Sequence, residues 1–219
     1  MSKLNQVELA VAGAMLALAP WIIDGAPYES TMGLVQKIFY FHMPSAWLFL
    51  IAALTSGVAS GVFLFGRKRN ADGWALAAAE LAVVFGIITL VTGPLWARKA
   101  WGIWWVWDAR LTSSLILWMI FVAYLLLRRY GGPGSDKLGA GLALFGLANV
   151  PFIFVSVNVW RTLHPQTSVV PTLPVQMGGP LWFCLTAFLL LFLALLSMRA
   201  RLERQRLRIE DLYLAEDEA

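Results

Sequence analysis

Long apolar runs alternate with short polar breaks along this chain. The apolar stretches cover residues 7–23, 41–65, 74–96, 113–127, 138–160 and 181–198. Several approach or exceed the ~18–20 residues that a helix needs to cross a hydrocarbon core. The fourth is short and is predicted to begin inside the segment before it. The breaks carry turn formers, such as Asp24-Gly25-Ala26-Pro27 and Gly131-Gly132-Pro133-Gly134. This pattern predicts an all-α integral membrane protein with six transmembrane helices in one bundle. Residues 1–198 form the six-helix domain and residues 199–219 a tail, basic first and then acidic.

The first run is predicted to be a retained span rather than a signal peptide. Only Lys3 is basic ahead of it, Glu8 interrupts it early, and Pro20 follows the one small-x-small site, Ala17-Leu18-Ala19. Pro44 suits the first turn of the second helix, which places His42 at a membrane surface. Glu80 lies about two turns into the third span and reads either as a functional carboxylate or as a protonated, hydrogen-bonded structural one. Pro151 predicts a kink in the fifth span, and Asn149 and Asn158 supply polar interior groups. A polar loop is expected from Arg161 through Gly179. Gly61 to Lys68 superficially resembles a phosphate-binding loop, but the lysine is displaced and no Ser or Thr follows it.

Composition agrees with the membrane reading: 59% hydrophobic, 14% charged, with mean hydropathy +0.70. A net charge of +4 would suggest nucleic acid in a soluble protein, but here the basic residues sit between spans and set topology instead. Of the 17 lysines and arginines, twelve fall on the side of the termini: Lys3, the 67–69 and 128–137 turns, and the tail. Five (Lys37, Arg98, Lys99, Arg110 and Arg161) fall on the other side. The positive-inside rule therefore predicts cytoplasmic N- and C-termini. The single cysteine, Cys184, lies within an apolar run and reads as a buried structural thiol.

This topology puts one unusual segment on the outer side. Residues 98–113 join the third and fourth spans, and Trp101-Gly102-Ile103-Trp104-Trp105-Val106-Trp107-Asp108 places four tryptophans in eight positions. Read as a helix, Trp101, Trp104, Trp105 and Asp108 share one face. The segment serves either as an interfacial aromatic anchor or as a platform for a large, flat, amphipathic ligand. The only two histidines, His42 and His164, fall on the same side. Two histidines make a poor zinc site, which wants three or four protein ligands. They suffice as axial ligands of a haem, whose porphyrin supplies four nitrogens. Indole faces suit the macrocycle, and Arg98, Lys99 or Arg110 can pair with its propionates.

The run from Trp101 through Asp108-Ala109-Arg110-Leu111-Thr112-Ser113 resembles the tryptophan-rich "WWD" signature of the haem-handling proteins of cytochrome c maturation. Phe41-His42-Met43-Pro44 and Thr162-Leu163-His164 resemble the two flanking histidine sites of that family. The resemblance is to its CcmC (haem exporter protein C) branch and covers essentially the whole chain. It implies haem b bound at the periplasmic face of a bacterial inner membrane. His42 and His164 would be the axial ligands of the iron, above a platform of Trp101, Trp104, Trp105, Trp107 and Asp108. It further implies delivery to the haem chaperone CcmE, alongside the ABC transporter subunits CcmA and CcmB and the small protein CcmD. The chain carries no nucleotide site, so ATP hydrolysis falls to a partner. This chain is expected to position haem rather than to catalyse a reaction of its own. The competing readings are a transporter subunit, which needs polar groups along a path through the bundle, and a structural subunit whose tryptophans only anchor it.

Overall fold

The computed structural model describes residues 2–165 and 167–217. Its long elements are α1 (Lys3–Asp24), α2 (Phe39–Gly66), α3 (Arg69–Trp101), α4 (Ala109–Tyr130), α5 (Ser135–Val159) and α6 (Val175–Asp217). All six are long and apolar enough to cross a membrane. Short 3-10 turns occupy Leu34–Ile38 and Thr167–Thr172. Among the described residues the only β feature is an isolated bridge between Glu29 and Gly33. The predicted all-α bundle of six spans is the observed architecture.

The helices overrun the predicted spans, because a helix does not stop where its apolar face stops. α2 begins at Phe39, so Pro44 is its sixth residue and lies beyond the first turn. α6 begins at Val175, which places Gly178 and Gly179 inside a helix rather than in the predicted loop. The same helix continues without a break from the sixth span into the tail. Met1, Glu218 and Ala219, at the ends of the predicted domain and tail, lie outside the described residues.

α2 and α3 form the middle of the bundle, and Leu48, Phe49, Phe85, Leu117, Phe121 and Phe192 fill its core. Runs of small residues bring the backbones together, as expected where lipid offers no hydrophobic drive between helices. Ala77, Ala78, Ala79 and Ala82 of α3 are all buried. A Cβ at Gly57 would lie 2.5 Å from Leu147 Cβ and 3.0 Å from the Ala143 carbonyl, so α2 and α5 meet there only because residue 57 lacks a side chain. α1 is peripheral and packs on α6, where its buried Asn5 hydrogen-bonds Ser197.

Charged groups concentrate at the end of the bundle that holds the termini. Arg128 of α4 donates two 2.7 Å hydrogen bonds to the Asp72 carboxylate of α3. Glu80, predicted as a functional candidate or a protonated structural group, is instead ion-paired with Arg199 at 2.7 Å. Arg199 also reaches the buried Glu203 at 3.1 Å, and Arg69 pairs with Asp211 at 2.6 Å. The first turns of the tail therefore pack along α3, at the end of the bundle opposite the cavity lined by His42 and His164.

Candidate functional site

The tryptophan segment is not a helix. α3 stops at Trp101 because Gly102 takes the left-handed conformation, φ +76°, and returns its N–H to the Arg98 carbonyl at 3.1 Å. α4 starts after Asp108, whose Oδ1 accepts the Leu111 N–H at 2.7 Å as an N-cap. Residues 102–108 thus cross between two capped helix ends, and the helical register predicted for Trp101, Trp104, Trp105 and Asp108 is replaced by an irregular crossing. A glycine past one helix and an aspartate before the next are the sequence signals that mark it.

Beneath this crossing lies a cavity of about 310 Å³, walled by α2, α3, α4 and α5 and covered by the loops at this end. Its size falls at the low end of ligand pockets. Six of the ten predicted site residues line it: His42, His164, Trp101, Trp104, Trp105 and Arg110. Trp104 is 55% exposed, so the cavity reaches the surface beside it.

The other four lie outside the lining. Trp107 is 74% exposed and stacks edge-on against Trp105, 5.8 Å between centroids. Asp108 caps α4 and accepts the Thr162 hydroxyl. Arg98 donates to the Gly102 carbonyl and lies over the Trp104 ring, bracing the helix end. Lys99 is exposed beside it. Of the three cations expected near a ligand, only Arg110 enters the cavity, where it donates to the Ile153 carbonyl at 2.9 Å.

Each histidine is held so that one ring nitrogen is spent and the other has no hydrogen-bond partner among the described residues. Thr92 Oγ1 gives its only hydrogen to the Ile88 carbonyl at 2.7 Å, so it must accept the proton of His42 Nδ1, 2.9 Å away. His164 Nδ1 lies 2.9 Å from the Pro165 carbonyl, which can only accept. Both rings therefore carry the proton on Nδ1 and keep a lone pair on Nε2, the arrangement by which an outer partner fixes a metal-ligating histidine. Burial pulls His164 below its usual range, to about 4, with Arg110 acting in the same sense and Pro165 and Asp108 opposing. It is neutral at pH 7, the form that binds metal. Gly93 stands against the other ring: a Cβ there would approach His42 Cε1 to 3.3 Å.

Two further wall residues, Gln36 and Trp96, escape sequence reading. Gln36, Trp96 and Trp105 each bury a side-chain polar atom that has no hydrogen-bond partner among the described residues. Gln36 lies in the predicted loop and Trp96 at the end of the predicted third span, and only folding sets them beside the histidines. Lys37 helps to hold Gln36 in place by clamping the first loop through Asp24, at 3.1 Å. The polar groups within the aromatic wall are thus two imidazoles, two indole N–H donors, a guanidinium and the accepting Oε1 of Gln36. It suits a flat apolar ligand with a metal at its centre and acceptors at its edge. No group of three or more His, Cys, Asp or Glu able to hold a bare metal ion occurs among the described residues.

The cavity also predicts which cation matters. Arg110→Gln is expected to weaken retention of such an anionic ligand about 10–100-fold, the worth of a hydrogen bond to a charged group. Arg98→Gln and Lys99→Gln are expected to change it by less than about 3-fold, as exposed charges do. Equilibrium titration of the three variants with haem separates them.

Comparison with known proteins places the chain among relatives over nearly its full length. The family model described as Heme exporter protein C matches residues 2–214. Heme exporter protein C of Bradyrhizobium diazoefficiens is 38% identical over 207 residues, covering 89% of this chain and 77% of its own. Heme exporter protein C of Escherichia coli K12 is 35% identical over 221 residues, covering 94% and 88%. A putative cytochrome c biosynthesis ccmC-like mitochondrial protein of Marchantia polymorpha is 36% identical over 152 residues, covering 69% and 64%.

Proposed function

Because the chain belongs to the haem exporter protein C family, we propose that it binds haem b in the cavity beneath the tryptophan crossing and hands it on during cytochrome c maturation. Nε2 of His42 and Nε2 of His164 are the axial ligands. Trp101, Trp104 and Trp105 flank the macrocycle, and Arg110 with the free indole N–H groups of Trp96 and Trp105 receives the propionates. The observation that carries this reading is the pair of histidines on one cavity, each with Nδ1 engaged and Nε2 without a hydrogen-bond partner among the described residues.

The cargo sits on the periplasmic face of the inner membrane, since the twelve basic residues on the side of the termini hold that side in the cytoplasm. The acceptor is the chaperone CcmE, and the ABC subunits CcmA and CcmB with CcmD supply the energy and contacts that this chain lacks. The chain itself makes no covalent bond to haem. It would hold the iron through His42 and His164 and release the cargo when a partner weakens that ligation. A transporter reading loses its main candidate, because Glu80 is neutralised by Arg199 instead of standing alone on a path.

The test is transfer. Haem-loaded protein in nanodiscs, mixed with CcmE, CcmA, CcmB, CcmD and ATP, is expected to yield CcmE carrying covalently bound haem, detected by haem staining after denaturing electrophoresis. Loaded protein that retains all its haem under these conditions would contradict delivery.

A further inference from the structure

The second histidine stands on residues 160–165, beyond the end of α5, where no helix or strand supports it. Hydrogen bonds hold it instead. Its backbone N–H donates to Thr162 Oγ1 at 3.1 Å. The Thr162 hydroxyl donates in turn to Asp108 Oδ2. The other carboxylate oxygen, Oδ1, takes the Leu111 N–H at 2.7 Å and closes the first turn of α4. Asp108 thus divides its two oxygens between the start of α4 and the loop of His164, at the point where the tryptophan crossing ends. His42 has no such dependence, because it rides on α2 with Thr92 of α3 behind it.

We infer that Thr162 is a positioning residue that makes axial ligation by His164 depend on the docked conformation of the tryptophan crossing. The inference rests on the haem-binding reading above. Both functions of the hydroxyl are used at once: its oxygen accepts from His164 and its hydrogen goes to Asp108. Only a hydroxyl side chain can serve this position. Valine fills the same volume and makes neither bond, whereas serine makes both. When the crossing is displaced, Asp108 leaves Thr162, and the His164 loop loses the tie that aims its ring. His42 keeps its own support, so the two ligands are released unequally, with His164 first.

The test uses the full-length protein in detergent or nanodiscs, loaded with haem, with absorption and electron paramagnetic resonance spectra recorded for wild type, Thr162→Val and Thr162→Ser. Thr162→Val is expected to shift the ferric haem from six-coordinate low-spin toward five-coordinate high-spin and to retain haem about 10-fold less well, as for loss of an outer-shell partner. Added imidazole is expected to restore its low-spin spectrum, since the vacated position accepts an outside ligand, whereas a collapsed site would not respond. Thr162→Ser is expected to match wild type. A wild-type spectrum in Thr162→Val overturns the inference and leaves haem binding intact, and so does a loss that neither imidazole nor serine repairs. Wild-type protein that takes up no haem overturns the binding reading and this inference with it.

Discussion

Asp72→Ala is expected to cost about 3–5 kcal/mol of stability, the penalty for removing one partner of a buried ion pair and stranding the other. The Asp72 and Arg128 side chains are only 9% and 13% exposed, and two 2.7 Å hydrogen bonds join them. Deleting the carboxylate leaves the Arg128 guanidinium with no hydrogen-bonded counter-ion among the described residues, only the longer-range pull of Asp136. The effect is one of desolvation and not of lost attraction, so the double variant Asp72→Ala/Arg128→Met is expected to recover most of the loss. Thermal unfolding in detergent, followed by circular dichroism for the two single variants and the double, gives the coupling directly. A single variant as stable as wild type would mean that water or lipid headgroups reach the pair.

His42→Ala has the largest expected effect on function. The ring sits in the first turn of α2 with its Nδ1 proton committed to Thr92, and the absence of a side chain at Gly93 leaves room for it. No other side chain able to ligate iron as strongly stands at that position, since the chain has two histidines and the other occupies the opposite loop. Loss of haem retention by at least about 100-fold is expected, at the upper end of what loss of a mere outer-shell partner costs. Cells depending on this chain should lose their c-type cytochromes accordingly. His164→Ala is expected to be milder in retention, because its loop is held by hydrogen bonds alone and the aromatic wall and His42 remain. Haem-stained cytochrome c in membranes of complemented cells measures both, and unchanged cytochrome levels in His42→Ala would remove the residue from the site.

The spans were legible because the hydrocarbon core imposes a length that any crossing helix must meet; each helix from α1 to α6 meets it, α4 only by extending past the short apolar run at 113–127. The cations of the site were not, because Arg98, Lys99 and Arg110 are equivalent in sequence and differ only in where the helix ends set them: Arg98 and Lys99 are exposed on the last turn of α3, whereas Arg110, in the first turn of α4, faces the cavity. The turn at Gly102 broke the helical face proposed for Trp101, Trp104, Trp105 and Asp108. Its signals, Gly102 and Asp108, were present but were outweighed by an apparent 3.6-residue spacing. Glu80 could not be assigned from its span alone, since its partner Arg199 lies 119 positions away on another helix. Gln36 and Trp96 carried no motif, and their unpaired polar atoms became visible only when the cavity closed around them.

Haem ligation by the two histidines is read from the visible absorption spectrum of the purified protein, oxidised and reduced, beside His42→Ala and His164→Ala. Wild type is expected to show a six-coordinate low-spin haem and each variant a change of ligation. Failure of the intact protein to bind haem, even with haem added and the partners present, or a spectrum that neither substitution alters, would contradict that ligation.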